Sequence, residues 1–147
     1  MSKKSQYTIK DRLEQIAESI ELVISRCENV NEANDFLLSP DSMMKFDSCV
    51  MRLQAIGEQI GKILKEDNCP FDKYPEIPWV AAYDMRNFIS HEYANIDEAI
   101  VFDVIKEELP RMQEAVKKIL LEYWFIPRFP FVENREFDGI RIFTFTT

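Results

Sequence analysis

The segment from Arg86 to Tyr93 (RNFISHEY) brings a guanidinium, an amide, a hydroxyl, an imidazole and a phenol into eight residues. His91 is the only histidine in the chain. Histidine is the residue type whose ordinary pKa, about 6.5, lies nearest neutrality, so proton transfer at ordinary pH would run most economically through this side chain. Beside it, Arg86 can hold and neutralise a phosphate bidentately, and Asn87 can orient a substrate or the imidazole. These parts suit phosphodiester chemistry without a metal. RNA carries its own nucleophile in the 2′-hydroxyl, so cleavage needs a base for that proton, an acid for the departing 5′-oxygen, and donors for the crowded phosphorane. One histidine per chain is short by one partner, which a two-fold dimer would supply.

Ordinary roles compete with this reading. A lone histidine near a helix end commonly caps or hydrogen-bonds, an arginine finds salt-bridge partners among abundant Asp and Glu, and a tyrosine can simply bury its ring and satisfy its hydroxyl locally. The spacing adds a constraint. On a continuous helix five residues rotate a side chain by about 140°, so Arg86 and His91 do not share a face, whereas Asn87 and His91 do. Either the helix ends near Ser90 and lets His91 and Tyr93 turn back toward Arg86, or another subunit completes the site.

Composition narrows the scaffold that must hold this segment. A chain of 147 residues with 46% hydrophobic content makes one domain that buries roughly 68–70% of the surface its unfolded form would expose. Glycine occurs only at 57, 61 and 139, which disfavours turn-rich all-β architecture and glycine-rich phosphate loops. The net charge of −8 argues against nonspecific nucleic-acid coating through a broad basic face, though not against a small basic cleft. Cys27, Cys49 and Cys69 are odd in number, widely spaced and without a paired motif, so they signal neither a zinc site nor a disulfide framework and fit a reducing cytoplasm. Neither a signal-peptide core nor an apolar run of about 18 residues is present, which leads to the expectation of a soluble intracellular protein with no membrane role.

The elements follow from periodicity. Thr8, with Asp11 three residues on, caps a first amphipathic helix to about Glu28 along Leu13, Ile16, Ile20, Val23, Ile24 and Cys27. After a short helical piece at Phe36–Leu38, Ser39 and Pro40 start a second long helix whose stripe runs from Met43, Met44, Cys49 and Val50 to Leu64. Gly57 and Gly61 each cost it about 1 kcal/mol relative to Ala, a cost that close approach of another helix explains. Prolines at 70, 75 and 78 make a loop, and Trp79 to about Ser90 forms a third helix. Asn95 or Asp97 caps a fourth, with Ile100, Val101, Val104, Ile105, Leu109, Met112, Val116, Ile119 and Leu120 on its buried stripe, kinked or divided at Pro110. The fold class is therefore all-α, an antiparallel bundle of four to five helices over residues 1–124. The tail, 125–147, is aromatic and of unknown role: either an extended arm on the helices or a second subunit, or a small hairpin around Asp138-Gly139.

Arg86, four residues, His91, one residue, Tyr93 resembles the signature of the HEPN superfamily. Ala55–Leu64 (AIGEQIGKIL), Tyr74–Trp79 (YPEIPW), Asp84–Tyr93 and Glu107–Pro110 together resemble its HepT branch, a likeness that covers roughly residues 8 to 122. The resemblance implies a homodimer of all-helical subunits with the motif segments lining a shared cleft. It implies a metal-independent endoribonuclease toxin of a type VII HepT/MNT toxin-antitoxin system, with no cofactor, RNA as substrate, and Arg86 and His91 as the catalytic pair. Asn87 would support them. The partner it implies is an MNT-like nucleotidyltransferase antitoxin that transfers AMP onto Tyr93, where a bulky anion would block the cleft and repel RNA phosphate. Glu58 is either a further support for the site or an ordinary helical carboxylate. The aromatic tail departs from the family pattern, which ends soon after the last helix. The rival readings are a non-catalytic helical module that partners a nucleotidyltransferase through the same cleft, and a purely structural dimerisation domain.

Overall fold

The computed structural model describes residues 8–125, 135–137 and 140–142. Its helices are α1 (Ile9–Arg26), α2 (Pro40–Leu64), α3 (Trp79–Glu92), α4 (Glu98–Asp103) and α5 (Leu109–Phe125), joined by short 3-10 turns and, between α4 and α5, by a π-helical turn over Val104–Glu108. Successive long helices run antiparallel around one core, an all-α bundle. Among the described residues no helix is long and apolar enough to cross a membrane.

The helix starts are chemically explicit. Thr8 Oγ1 accepts from the Asp11 backbone N–H at 3.2 Å while Asp11 Oδ2 accepts from the Thr8 N–H at 2.9 Å, a reciprocal capping box that satisfies two otherwise orphaned groups. Ser39 Oγ accepts from the Ser42 N–H at 3.1 Å, with Pro40 in the first helical position, where its missing donor is harmless. Of the two candidate caps for α4, Asp97 is the one used, accepting from the Ala99 N–H at 2.8 Å.

Leu13, Ile16, Ile20 and Val23 of α1 meet Cys49, Leu53, Ile56, Ile60 and Ile63 of α2, with Ile105, Leu109, Val116 and Ile119 closing the core from the far side. At one end, the rings of Phe71 and Trp79 stack at 3.9 Å, and Trp79 Nε1 donates to the Tyr74 carbonyl at 2.9 Å. These contacts convert the proline-rich loop into a plug beneath α3. Met43, Met44 and Ile100, placed by periodicity on buried stripes, are exposed, Met44 by 68%. For the two methionines the reason is overhang: α2 is longer than α1, 25 residues against 18, so its first turns face the 3-10 turn at Ala33–Leu37.

Pro110 divides the last helix by widening it. A proline lacks the N–H and crowds the carbonyl four residues earlier; here the turn before it opens to π geometry, and the Leu109 N–H reaches back five residues to the Val104 carbonyl. In the tail, Arg135–Phe137 pairs antiparallel with Ile140–Ile142, Arg135 opposite Ile142 and Phe137 opposite Ile140, so the hairpin alternative is the one adopted there. Asp138 and Gly139 themselves lie outside the described residues, as does most of the rest of the aromatic tail.

The contact between α2 and α3 is very close. A Cβ added at Gly57 would lie 2.8 Å from the Ala82 carbonyl oxygen and 3.0 Å from Arg86 Cβ, and one at Gly61 would run into the Tyr83 ring. Because the first obstacle at Gly57 is backbone, side-chain rotation cannot relieve it. Gly57→Ala should destabilise the fold by about 1–3 kcal/mol and lower the thermal midpoint by roughly 3–10 °C; an unchanged melting curve would contradict the packing described.

Candidate active site

Arg86, Asn87 and His91 all stand on α3, which continues through Glu92 and does not end at Ser90. Of the two alternatives, a helix that ends at Ser90 and folds His91 back toward Arg86 is not the one adopted. Gln54 Nε2, on α2, donates to Ser90 Oγ at 3.0 Å, pinning the last turn of α3 one residue before the histidine. Regular geometry then sets Arg86 and His91 about 140° apart around the axis, with Asn87 and His91 within about 40°.

Their surroundings differ accordingly. Arg86 is half-buried with its Cβ against Gly57, so the missing side chain of the glycine decides how deeply the base of the arginine seats on α2. Asn87 and His91 are exposed on the outer face. Tyr93 opens the 3-10 turn Tyr93–Asn95 directly after α3, but the expectation for its hydroxyl falls on a side chain outside the described residues. Glu58 is exposed and lies 3.7 Å from Lys62 one helical turn on, the ordinary carboxylate role of the two open to it.

Beside Ser90 a groove of about 470 Å³ runs between α2 and the end of α3, lined by Asp47, Met51, Gln54, Ile89, Ser90 and Ile96 among others. Its rim continues into exposed apolar side chains, including Met51, 71% exposed, and Met44 seven residues earlier on the same helix face. Among the described residues no group of three His, Cys, Asp or Glu side chains is placed to hold a metal ion.

One position and one pairing were hidden in the sequence. Gln54 is an unremarked polar residue on a helix, and only its partner 36 residues away gives it meaning. Gly57 was legible as a packing glycine, but nothing in the sequence states that its neighbour is Arg86 rather than another part of α3.

An antiparallel α-helical bundle that carries its polar constellation at the end of one helix defines the class of protein. The chain belongs to the HepT-like ribonuclease family: the family described as "Ribonuclease HepT-like" matches residues 9–119. Over 116 residues it is 32% identical to a "Gamma-glutamylcyclotransferase and putative RNase" of Methanocaldococcus jannaschii, a match covering 78% of this chain but 48% of that protein, so the chain spans about half the length of this relative. It is 30% identical over 113 residues to a "Putative RNase" of Caldanaerobacter subterraneus subsp. tengcongensis, covering 77% of this chain and 95% of the other. With a "Probable ribonuclease HepT" of Thermococcus cleftensis the identity is 32% over 113 residues, covering 75% and 94%. No solved structure matches the chain.

Removing the Gln54 amide should loosen the last turn of α3. In Gln54→Ala, amide hydrogen exchange of Ser90 and His91 is expected to quicken by roughly two- to tenfold with the remainder of the bundle unaffected; unaltered exchange there would mean that the hydrogen bond does not hold the turn.

Proposed function

We propose that this protein is a metal-independent endoribonuclease that works as a homodimer, with Arg86 and His91 as its catalytic residues and Asn87 supporting them. The observation that carries this reading is the exposed Asn87–His91 face on an unbroken helix. On a regular helix the single imidazole stands about 140° around the axis from its own Arg86, so bringing the parts together is a task for two chains related by a two-fold axis. The exposed Met43, Met44 and Met51 beside the groove give such a dimer apolar surface to cover.

In the reaction, His91 of one protomer takes the proton of the RNA 2′-hydroxyl, whose oxygen attacks the adjacent phosphorus. The bond to the 5′-oxygen breaks, and the second protomer's imidazolium gives that oxygen a proton, leaving a 2′,3′-cyclic phosphate and a 5′-hydroxyl. The Arg86 guanidinium carries no proton in this cycle; it neutralises charge on the equatorial oxygens as the phosphorane forms. Asn87, on the same face as His91, orients the imidazole or the ribose. No metal enters, because the nucleophile belongs to the substrate. With a net charge of −8 the global field repels RNA, so capture falls to this local patch.

Regulation follows the toxin-antitoxin pattern: an MNT-like nucleotidyltransferase antitoxin transfers AMP from ATP to the Tyr93 hydroxyl, releasing pyrophosphate. Tyr93 lies two residues from His91, so the added phosphate puts negative charge where the scissile phosphate must enter. The cytoplasm is where such a protein would meet RNA and its partner.

Purified protein should cleave single-stranded RNA in the presence of EDTA and leave cyclic phosphate ends, while His91→Ala and Arg86→Ala fold normally and lose roughly 10²–10⁴-fold in rate. Cleavage that survives in both variants would remove these residues from the mechanism, and a helical binding module without turnover would then be the better account. After incubation with the cognate nucleotidyltransferase and ATP, peptide mass spectrometry should find AMP on Tyr93; label on another residue would contradict the proposed control.

A further inference from the structure

Cys27 and Cys49, separated by 21 intervening residues and unrelated by any motif, meet in the core with their sulfurs 3.3 Å apart. Both are fully buried, and both are free thiols. Cys27 is the C-cap of α1, where the chain leaves the helix and a side chain can be re-aimed with little backbone cost, whereas Cys49 lies inside α2. Closing the gap to a covalent S–S length of about 2.05 Å asks for a movement of only ~1.3 Å. We propose that Cys27 and Cys49 form a reversible, oxidant-driven crosslinking site that staples the end of α1 to α2.

The two thiols are chemically unequal. Hydrogen bonding to Cys49 and burial push the Cys27 thiol up, while the hydrogen bond from Cys27, helped by Ser48 and by the positive charges of Arg26 and Lys45, brings Cys49 down. Each sulfur is the other's immediate neighbour, so whichever thiol is oxidised first is resolved by the other; the following steps have Cys49 oxidised first. With hydrogen peroxide as oxidant, the Cys49 thiolate attacks one peroxide oxygen; an S–O bond forms, the O–O bond breaks, and hydroxide leaves, taking up a proton to become water. Cys27 sulfur then attacks the Cys49 sulfenic sulfur, forming S–S and breaking S–O, and its proton leaves with the hydroxide as a second water. Two thiols are oxidised and one peroxide is reduced.

The location gives the staple a mechanical consequence. The Cys27 carbonyl already accepts from Lys106 Nζ at 2.8 Å, which ties the end of α1 to the π turn. Val50, the neighbour of Cys49, lines the groove beside Ser90. A crosslink would thus lock the end of the bundle that carries the polar α3 face, and, with both sulfurs buried, peroxide reaches it through local opening of the bundle.

The test uses the full chain, reduced, desalted and exposed to hydrogen peroxide, then labelled with N-ethylmaleimide in denaturant. The intact mass should fall by two hydrogens before labelling, maleimide uptake should drop from all three cysteines to Cys69 alone, and the peptide map should join Cys27 to Cys49. Dithiothreitol should reverse it. The crosslinked protein should melt roughly 5–10 °C higher, and Cys69→Ser should behave like the wild type. Three labels after peroxide, oxygen added to Cys27 or Cys49 without a crosslink, or a bond formed only between chains through Cys69 would each overturn the proposal. Cys49→Ser should form no such crosslink, and the wild-type map alone decides the matter if that variant does not fold.

Discussion

The near-contact of α2 and α3 at Gly57 and Gly61 is the constraint on which the rest of the molecule depends. Two helices whose backbones approach this closely leave no room for a Cβ at Gly57, and the atoms that fill the space are the Ala82 carbonyl and the base of Arg86. Because interiors pack near crystal density, the position of α3 is set to within a few tenths of an ångström. The glycines cost helix propensity; what they secure is the close seating of α3, with the base of Arg86 against Gly57 and the Tyr83 ring against Gly61. The Phe71–Trp79 stack fixes the start of α3 and the Gln54–Ser90 hydrogen bond fixes its end, so the helix is held at three levels along its length.

The last helix solves a different problem. To cover the core beside α1 it must continue past Pro110, and it does so by taking up a π turn directly before the proline. Lys106, on that widened turn, reaches the Cys27 carbonyl at the C-cap of α1. A local accommodation of one proline thus becomes a tie between distant parts of the bundle.

Much of this was written in the sequence, and the exceptions have physical causes. Thr8 with Asp11, Ser39 with Pro40, and Asp97 announced helix starts because capping is local chemistry, and the 3.6-residue stripes of α1 and α5 named most of the core. Periodicity failed at Met43, Met44 and Ile100 because a stripe reports which face is apolar, not whether another helix is long enough to cover it. The extent of α3 was misjudged because its last turn is held by Gln54, a long-range partner. The meeting of Cys27 and Cys49 was likewise hidden, since it depends on how α1 and α2 cross rather than on any spacing. In the candidate site, the residue types and their angular relation were legible from the chain alone; the burial of the Arg86 base against Gly57 was not.

An unbroken α3 makes the RNFISHEY segment a half-site. Its Arg86 is seated toward α2 and its lone His91 faces outward, so the proposed chemistry places two imidazoles in one cleft only when two chains combine. The direct measurement is RNA cleavage by wild-type protein exchanged with increasing His91→Ala subunits at constant total concentration. The account predicts that activity follows the square of the wild-type fraction, because a mixed dimer lacks either its base or its acid. Activity proportional to the wild-type fraction itself would show that a single chain carries a complete site, and would contradict it.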